Sequence, residues 1–264
     1  VPIIVFSLES LGWRTTAVLS GIAILVLGLP AVQAVRHRPT EIGETVDGTV
    51  VEGAIDGDKT LFDERRDFTA REALRTRAFW LISMGHGAAL LVVSSMIVHL
   101  VPHLTEGLGY SLSQAGFIVS LLTACQMLGQ FSGGYLGDRF NKRLISVGCM
   151  VAHTIGLLLV AYAVNIWMVL AFTLLHGLAW GIRGPLMVAL RADYFGPSSF
   201  GTILGLSSLI TMIGMSTGPV VAGYLADIYG NYRMGFTVLS VGAFLGSFCF
   251  LAATPPEPRR KSLA

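Results

Sequence analysis

Charge is scarce in this sequence, and its absence is local. Charged residues make up 13% of the 264, about half the share of an ordinary soluble domain, against 53% hydrophobic. Seven stretches, at 15–35, 78–101, 114–136, 144–163, 166–190, 202–225 and 233–253, are long and apolar, and none contains Asp or Glu. About 18 apolar residues suffice to cross a bilayer as a helix. A soluble protein has no reason to crowd its charges between such stretches, so a soluble fold is excluded. The missing carboxylates also exclude the acid–base pairs that an intramembrane enzyme would hold in its helices. There is no Walker loop, no HExxH and no nucleophile with an arranged base, so the chain reads as no enzyme, with no cofactor, no metal and no nucleic-acid partner. Cysteine is sparse too. Cys125, Cys149 and Cys249 fall inside apolar stretches without CxxC spacing and read as small packing residues.

The charges that are present set an orientation. Lys and Arg favour cytoplasmic loops, and fifteen of the 18 fall on one side of the alternating stretches. These are eight in 36–77, then Arg139, Lys142 and Arg143, then Arg191 read as a loop residue, and Arg259, Arg260 and Lys261. Arg14 and Arg233 fall on the other side, and Arg183 lies inside a stretch. The expectation is a multi-pass protein of the inner cell membrane with linker and C-terminus cytoplasmic. Four regions follow: 1–35, the end of one membrane helix plus one span; 36–77, a cytoplasmic linker ending in an amphipathic helix; 78–253, a six-helix unit; and 254–264, a cytoplasmic tail. The acidic, Gly- and Thr-containing run 36–66 cannot bury a core and reads as flexible. Order is expected to resume at Thr69-Ala-Arg-Glu72, a capping-box spacing, with Arg71 and Arg75 placed to meet anionic headgroups. The opening VPIIVFSL, apolar and without Met, reads as the end of an earlier helix in a fragment.

An internal repeat is the most specific signal. Gly134-Tyr-Leu-Gly-Asp138 returns as Gly223-Tyr-Leu-Ala-Asp227, 89 residues later, and the spans on either side return at the same offset. Three helices followed by the same three helices must run in opposite senses across the membrane. Gly134-Tyr-Leu-Gly-Asp138-Arg139-Phe-Asn141-Lys142-Arg143 resembles the G-x-L-x-D-R-x-G-R-[RK] turn of the major facilitator superfamily, whose halves are built from inverted three-helix repeats. Gly134 is expected to allow close helix approach, and Asn141, where the signature prefers Gly, to take a left-handed turn. Ala192-Asp-Tyr-Phe-Gly196, Gly218-Pro219-Val-Val-Ala-Gly223 and Tyr232-Arg233 are similar to the last helices of monocarboxylate-transporter-like and oxalate/formate-exchanger-like members. Gly12-Trp13-Arg14 fits the start of their sixth helix. The sequence departs from those carriers in having no charge in 114–136 and no lysine in 202–225.

The resemblance implies an all-α membrane bundle of about seven helices, corresponding to helices six to twelve. It implies alternating-access transport of a small organic anion such as a monocarboxylate, by symport or antiport, with a proton as candidate co-substrate. The lipid bilayer and a missing N-terminal half of the same transporter would be the other partners. A seven-helix receptor shares the helix count but accounts for neither the repeat nor the basic turn.

Arg183 is the only Arg or Lys deep inside a span as read here, and a charge there costs about 3 kcal/mol or more. It precedes Gly184-Pro185, so one reading is an anion site beside a broken helix. The other is a side chain snorkelling to the interface. His176, Trp180, Arg183 and Met187 share a helical face, and the resemblance, which makes this span the tenth helix, implies that the face lines the central cavity. Gln126, Gln130 and Thr123, with Ser208 and Thr211, are further candidates, or simply helix–helix hydrogen bonds. His86 and His176, 90 residues apart, are expected near the midplane as a pair for substrate or proton. His99 and His103, four apart at an outer helix end, read as an exposed interfacial pair in preference to a metal-binding one. Gly129, Gly133, Gly137, Gly177, Gly181, Gly201 and Gly205 read as packing positions.

Overall fold

Most of the long helices begin where a short polar side chain closes the first turn. Thr76 accepts from Phe79 N (3.2 Å), Ser111 from Gln114 N (3.2 Å), Asn141 from Arg143 N and Leu144 N, and Asn165 from Met168 N (3.1 Å). Each supplies an acceptor that the first helical amides lack. Glycine ends two of them: Gly196 (φ 75°) before Pro197, and Gly230 (φ 69°), both in conformations that disfavour a Cβ. The computed structural model describes residues 2–34 and 67–257. The readings of 36–66 as a flexible linker and of 258–264 as tail lie outside the described residues.

Helix α1 (Pro2–Ala34) belongs to a unit of its own. It bends at Gly12 (φ 74°), and the Ser7 and Thr16 hydroxyls, 2.9 Å apart, join the two sides of the bend. After the interval come α2 (Ala70–Ala73), α3 (Arg77–Pro102) with a π-helical turn at His103–Gly107, α4 (Leu112–Arg139), α5 (Lys142–Ala161), α6 (Ile166–Phe195), α7 (Phe200–Tyr229) and α8 (Arg233–Ala252). The capping box at Thr69 and Glu72 is present, but the amphipathic helix it opens is a single turn. Seven of the described helices are long and apolar enough to cross a membrane, and there is no strand among the described residues.

The repeat is carried into the packing. Helices α3 and α6 start 89 residues apart, α4 and α7 start 88 apart, and α5 and α8 start 91 apart. In lipid the hydrophobic effect gives helices no reason to associate, so small residues that bring backbones together do that work. On α4, a Cβ added at Gly129 would stand 2.6 Å from the Leu178 carbonyl oxygen of α6. Its repeat mate Gly218 on α7, 89 residues on, meets the Leu91 carbonyl of α3 in the same way. Gly181 closes the α4–α6 crossing against Gln126 and Gln130 backbone, as Gly214 closes the α3–α7 crossing against Gly87.

Three expectations for glycine fail. Gly134, Gly201 and Gly205 are exposed, and a Cβ on any of them would meet nothing within 4 Å. Gly133 and Gly137 make the approach expected of Gly134, against Ile182 and Leu186 of α6. Asn141 is likewise not left-handed. At φ −64° and ψ 107° it is an extended N-cap, so its side chain rather than its backbone freedom is what the turn uses.

Candidate functional site

Helix α6 runs unbroken through Pro185, so the broken-helix reading is set aside. It also extends past 190 to Phe195, which moves Arg191 from a loop into the bundle. Both arginines are buried: Arg183 is 1% exposed and Arg191 2%. Their surroundings differ completely.

Arg191 is fully engaged. Its Nη1 donates to the Met187 carbonyl (2.7 Å), its Nε and Nη2 to Ser207 Oγ of α7 (3.1 and 2.7 Å), and Nη2 lies 3.2 Å from His86 Nδ1 on α3. Ser207 in turn lies 2.8 Å from Ser83 Oγ of α3. Three helices meet at this guanidinium.

Arg183 has no such set. Its Nε and Nη1 are buried without a hydrogen-bond partner, which excludes both snorkelling and donation from those atoms to helix-end carbonyls. Within electrostatic reach lie Cys149 and His153 of α5 and His176 of its own helix. His153 and His176 are fully buried, their Nδ1 atoms 3.0 Å apart. One Nδ1 must carry the proton of this bond and the other accept it, which leaves the accepting ring's own proton on Nε2. His176 stacks on Phe172 (5.2 Å) and meets Trp180 edge-on (6.3 Å), and both Nε2 atoms are unpartnered.

The face formed by His176, Arg183 and Met187 is therefore turned into the bundle, with only Trp180 half-buried. His86 and His176 do not share a partner, since His86 joins Arg191 and His176 joins His153. Gln130 and Thr123 are exposed and Gln126 half-buried, along one flank of α4. They flank the α4–α6 crossing at Gly181, two residues before Arg183. Thr211 is buried and Ser208 half-buried, each bonded to its own helix's backbone. His103 is buried rather than exposed. Its Nε2 lies 2.8 Å from the Val160 carbonyl in the last turn of α5, and His99 Nε2 lies 2.9 Å from the Pro219 carbonyl. These two cap and brace helices.

Among the described residues no carboxylate forms an ion pair with Arg183 or Arg191. Glu106, Asp138, Asp193 and Asp227 lie at helix ends. The Lys142–Asp193 pair (2.8 Å), half-open to solvent, is the one ion pair among the described residues. It ties the start of α5 to the end of α6. Arg139 lies over the Tyr135 ring at 4.3 Å, while Asp138 stays exposed and Arg143 half-buried. No group of three or more His, Cys, Asp and Glu able to hold a metal occurs among the described residues.

Sequence reading missed Arg191 because a basic residue near the end of an apolar run was assigned to the loop. The signal was there: Tyr194-Phe195 continue the helix to Gly196-Pro197, its true stop.

Comparison with known proteins agrees with this architecture. The benzoate transport protein of Acinetobacter baylyi is 25% identical over 188 residues, covering 71% of this chain and 38% of its own. Monocarboxylate transporter 13 of Bos taurus is 31% identical over 170 residues, covering 60% and 39%. A multidrug resistance protein B homolog of Mycobacterium tuberculosis is 27% identical over 140 residues, covering 50% and 25%. The matches thus span two fifths or less of each relative's length. In fold, the crystal structure of the E. coli fucose:proton symporter matches with a TM-score of 0.60 at 17% identity, over 70% of this chain and 45% of that one. The family model of the Major Facilitator Superfamily matches residues 87–264, which takes in the three-helix repeat from the second half of α3 onward, with the Gly134–Arg143 turn. This chain belongs to the Major Facilitator Superfamily.

Proposed function

We propose that the full-length protein is a secondary carrier working by alternating access, and that its substrate is a small organic anion. The observation that carries this reading is Arg183, a buried guanidinium with two unpartnered nitrogens in a bundle whose spans hold no inner carboxylate. Leaving a buried cation unpaired is costly, and a bound carboxylate removes that cost. On this reading Arg183 is the group to which the carboxylate is drawn. His176 with its partner His153 lies behind it, Trp180 offers an aromatic wall, and Gln126 and Gln130 supply hydrogen bonds from the open flank of α4. The printed descriptions of two relatives, a benzoate transport protein and a monocarboxylate transporter, support the same substrate class.

The remaining half of the transporter would cover the open flanks of α4 and α7. Gly134, with open space beside it, and Asp138, with no ion pair among the described residues, are then placed to meet that half. Arg139, Lys142 and Arg143 would hold the cytoplasmic end, as the excess of basic residues there suggests. Uptake by the full-length protein in proteoliposomes, with and without a pH gradient, tests the reading. Saturable uptake of benzoate or lactate, and none of a lipophilic amine, is the expected result. Uptake of the amine alone would overturn it.

A further inference from the structure

The turn between α4 and α5 borders a cavity of about 260 Å³ at the end of the bundle where basic residues collect. A pocket for a drug-sized ligand occupies roughly 300 Å³ or more, so this one suits a small headgroup. Lys142 and Arg143 of α5, Leu190 and Asp193 of α6, Phe140 at the end of α4 and Pro255 after α8 line it. The Tyr194 hydroxyl donates to the Ala253 carbonyl (2.8 Å), which pins the segment carrying Pro255 against α6. The N-terminus of α5 offers little by itself, because the Asn141 side chain already accepts from the Arg143 and Leu144 amides. The charge comes from side chains. Lys142 gives one of its three donors to Asp193 (2.8 Å) and keeps two. Arg143 is half-buried without an ion pair among the described residues. Two cations against one carboxylate leave a single net positive charge in the cavity wall.

An apolar track leads away from this cavity along α5. Leu144, Gly148, Val151, Ile155 and Leu158 recur at spacings of four and three, and all are exposed, on the face turned away from His153. We propose that the cavity holds the headgroup phosphate of an anionic phospholipid, with an acyl chain lying along this face of α5. A phosphodiester carries one negative charge, which matches the excess in the wall. Arg143 presents a planar fork suited to phosphate oxygens and Lys142 a point charge. Basic pockets between membrane helices take such headgroups. A free phosphate would use the charged end alone and leave the exposed α5 face bare, so the lipid is the better occupant. The bound headgroup bridges the start of α5 and the end of α6 beside the Lys142–Asp193 pair. It thereby joins the last helix of the first repeat to the first helix of the second. The site shares no residue with the surroundings of Arg183.

The test is native mass spectrometry of the purified full-length protein, released from micelles that carry equal amounts of phosphatidylglycerol and phosphatidylcholine. The wild type is expected to retain one phosphatidylglycerol in preference to phosphatidylcholine. Arg143→Gln and Lys142→Gln should each weaken that retention by about fivefold. Asp193→Asn frees Lys142 and should strengthen it. Arg139→Gln removes the same charge from the same end but from outside the cavity, and should leave retention unchanged. Equal retention of the two lipids overturns the proposal. So does an equal loss in Arg139→Gln, which would make the basic turn a diffuse surface. Displacement of the lipid by inorganic phosphate would assign the cavity to the free ion and overturn it as well.

Discussion

Two arginines on one helix, Arg183 and Arg191, are both buried and lie eight residues apart, yet one is satisfied and the other is not. Arg191 donates to a carbonyl, a serine and a histidine on three helices. Arg183 leaves Nε and Nη1 empty. Burial alone therefore does not mark a binding residue; the hydrogen-bond inventory does. A saturated guanidinium is a joint in the bundle, and removing it strands its partners. An unsaturated one is a cost in the ligand-free state, and removing it relieves that cost.

The largest effect is expected on stability. Arg191→Gln leaves Ser207 and His86 without their donor in the bundle core, and should destabilise the full-length protein by about 3 kcal/mol or more. Thermal unfolding in detergent would show it. Arg183→Gln should leave the unfolding midpoint unchanged or raise it, since it deletes an unpaired charge. If Arg183→Gln proves the more destabilising of the two, the comparison is broken.

Next in size is the glycine crossing. Gly181→Ala forces a Cβ into Gln126 and Gln130 backbone and must push α4 from α6, whereas Gly134→Ala has open space within this half. The first is expected to cost about 1–3 kcal/mol and the second almost nothing in folding. The separation of the two variants in unfolding temperature sharpens the distinction between inner packing and open flank. Smaller again is Asn141→Ala, which removes the α5 N-cap at a cost of about 1 kcal/mol. Asn141→Gly should cost only a few tenths, because Gly is itself tolerated as a cap. Asp138→Asn should leave folding alone and slow the exchange of access states, read as a lower transport rate with the same unfolding temperature.

Much of the fold was readable from residue order. Long apolar runs place the six helices of the bundle, and the 89-residue echo of Gly134–Asp138 in Gly223–Asp227 predicts the inverted repeat that Gly129 and Gly218 make visible as packing. The site was only partly readable. Arg183 stands out because charge inside an apolar run is rare. Its environment did not, because helical spacing gives a face without saying which neighbour that face meets. Spacing puts His176 and Arg183 on one face and the resemblance turns that face to the cavity; the partner that decides their direction, His153 on α5, carries no sequence mark linking it to α6. His86 and His176 show the same limit. The repeat relates their positions, but their partners come from helices that the repeat does not equate. Gly134 failed for a neighbouring reason: a motif glycine beside two packing glycines looks alike in sequence, and only the roll of α4 separates them.

The most direct measurement is equilibrium binding of benzoate to the purified full-length protein, in wild type, Arg183→Lys and Arg183→Gln. A guanidinium that receives a carboxylate loses its planar two-donor fork on change to lysine and its charge on change to glutamine. Affinity should then fall by about tenfold in Arg183→Lys and further in Arg183→Gln, a loss of about 1.4 kcal/mol or more for each tenfold step. Equal affinity in all three proteins would contradict the account.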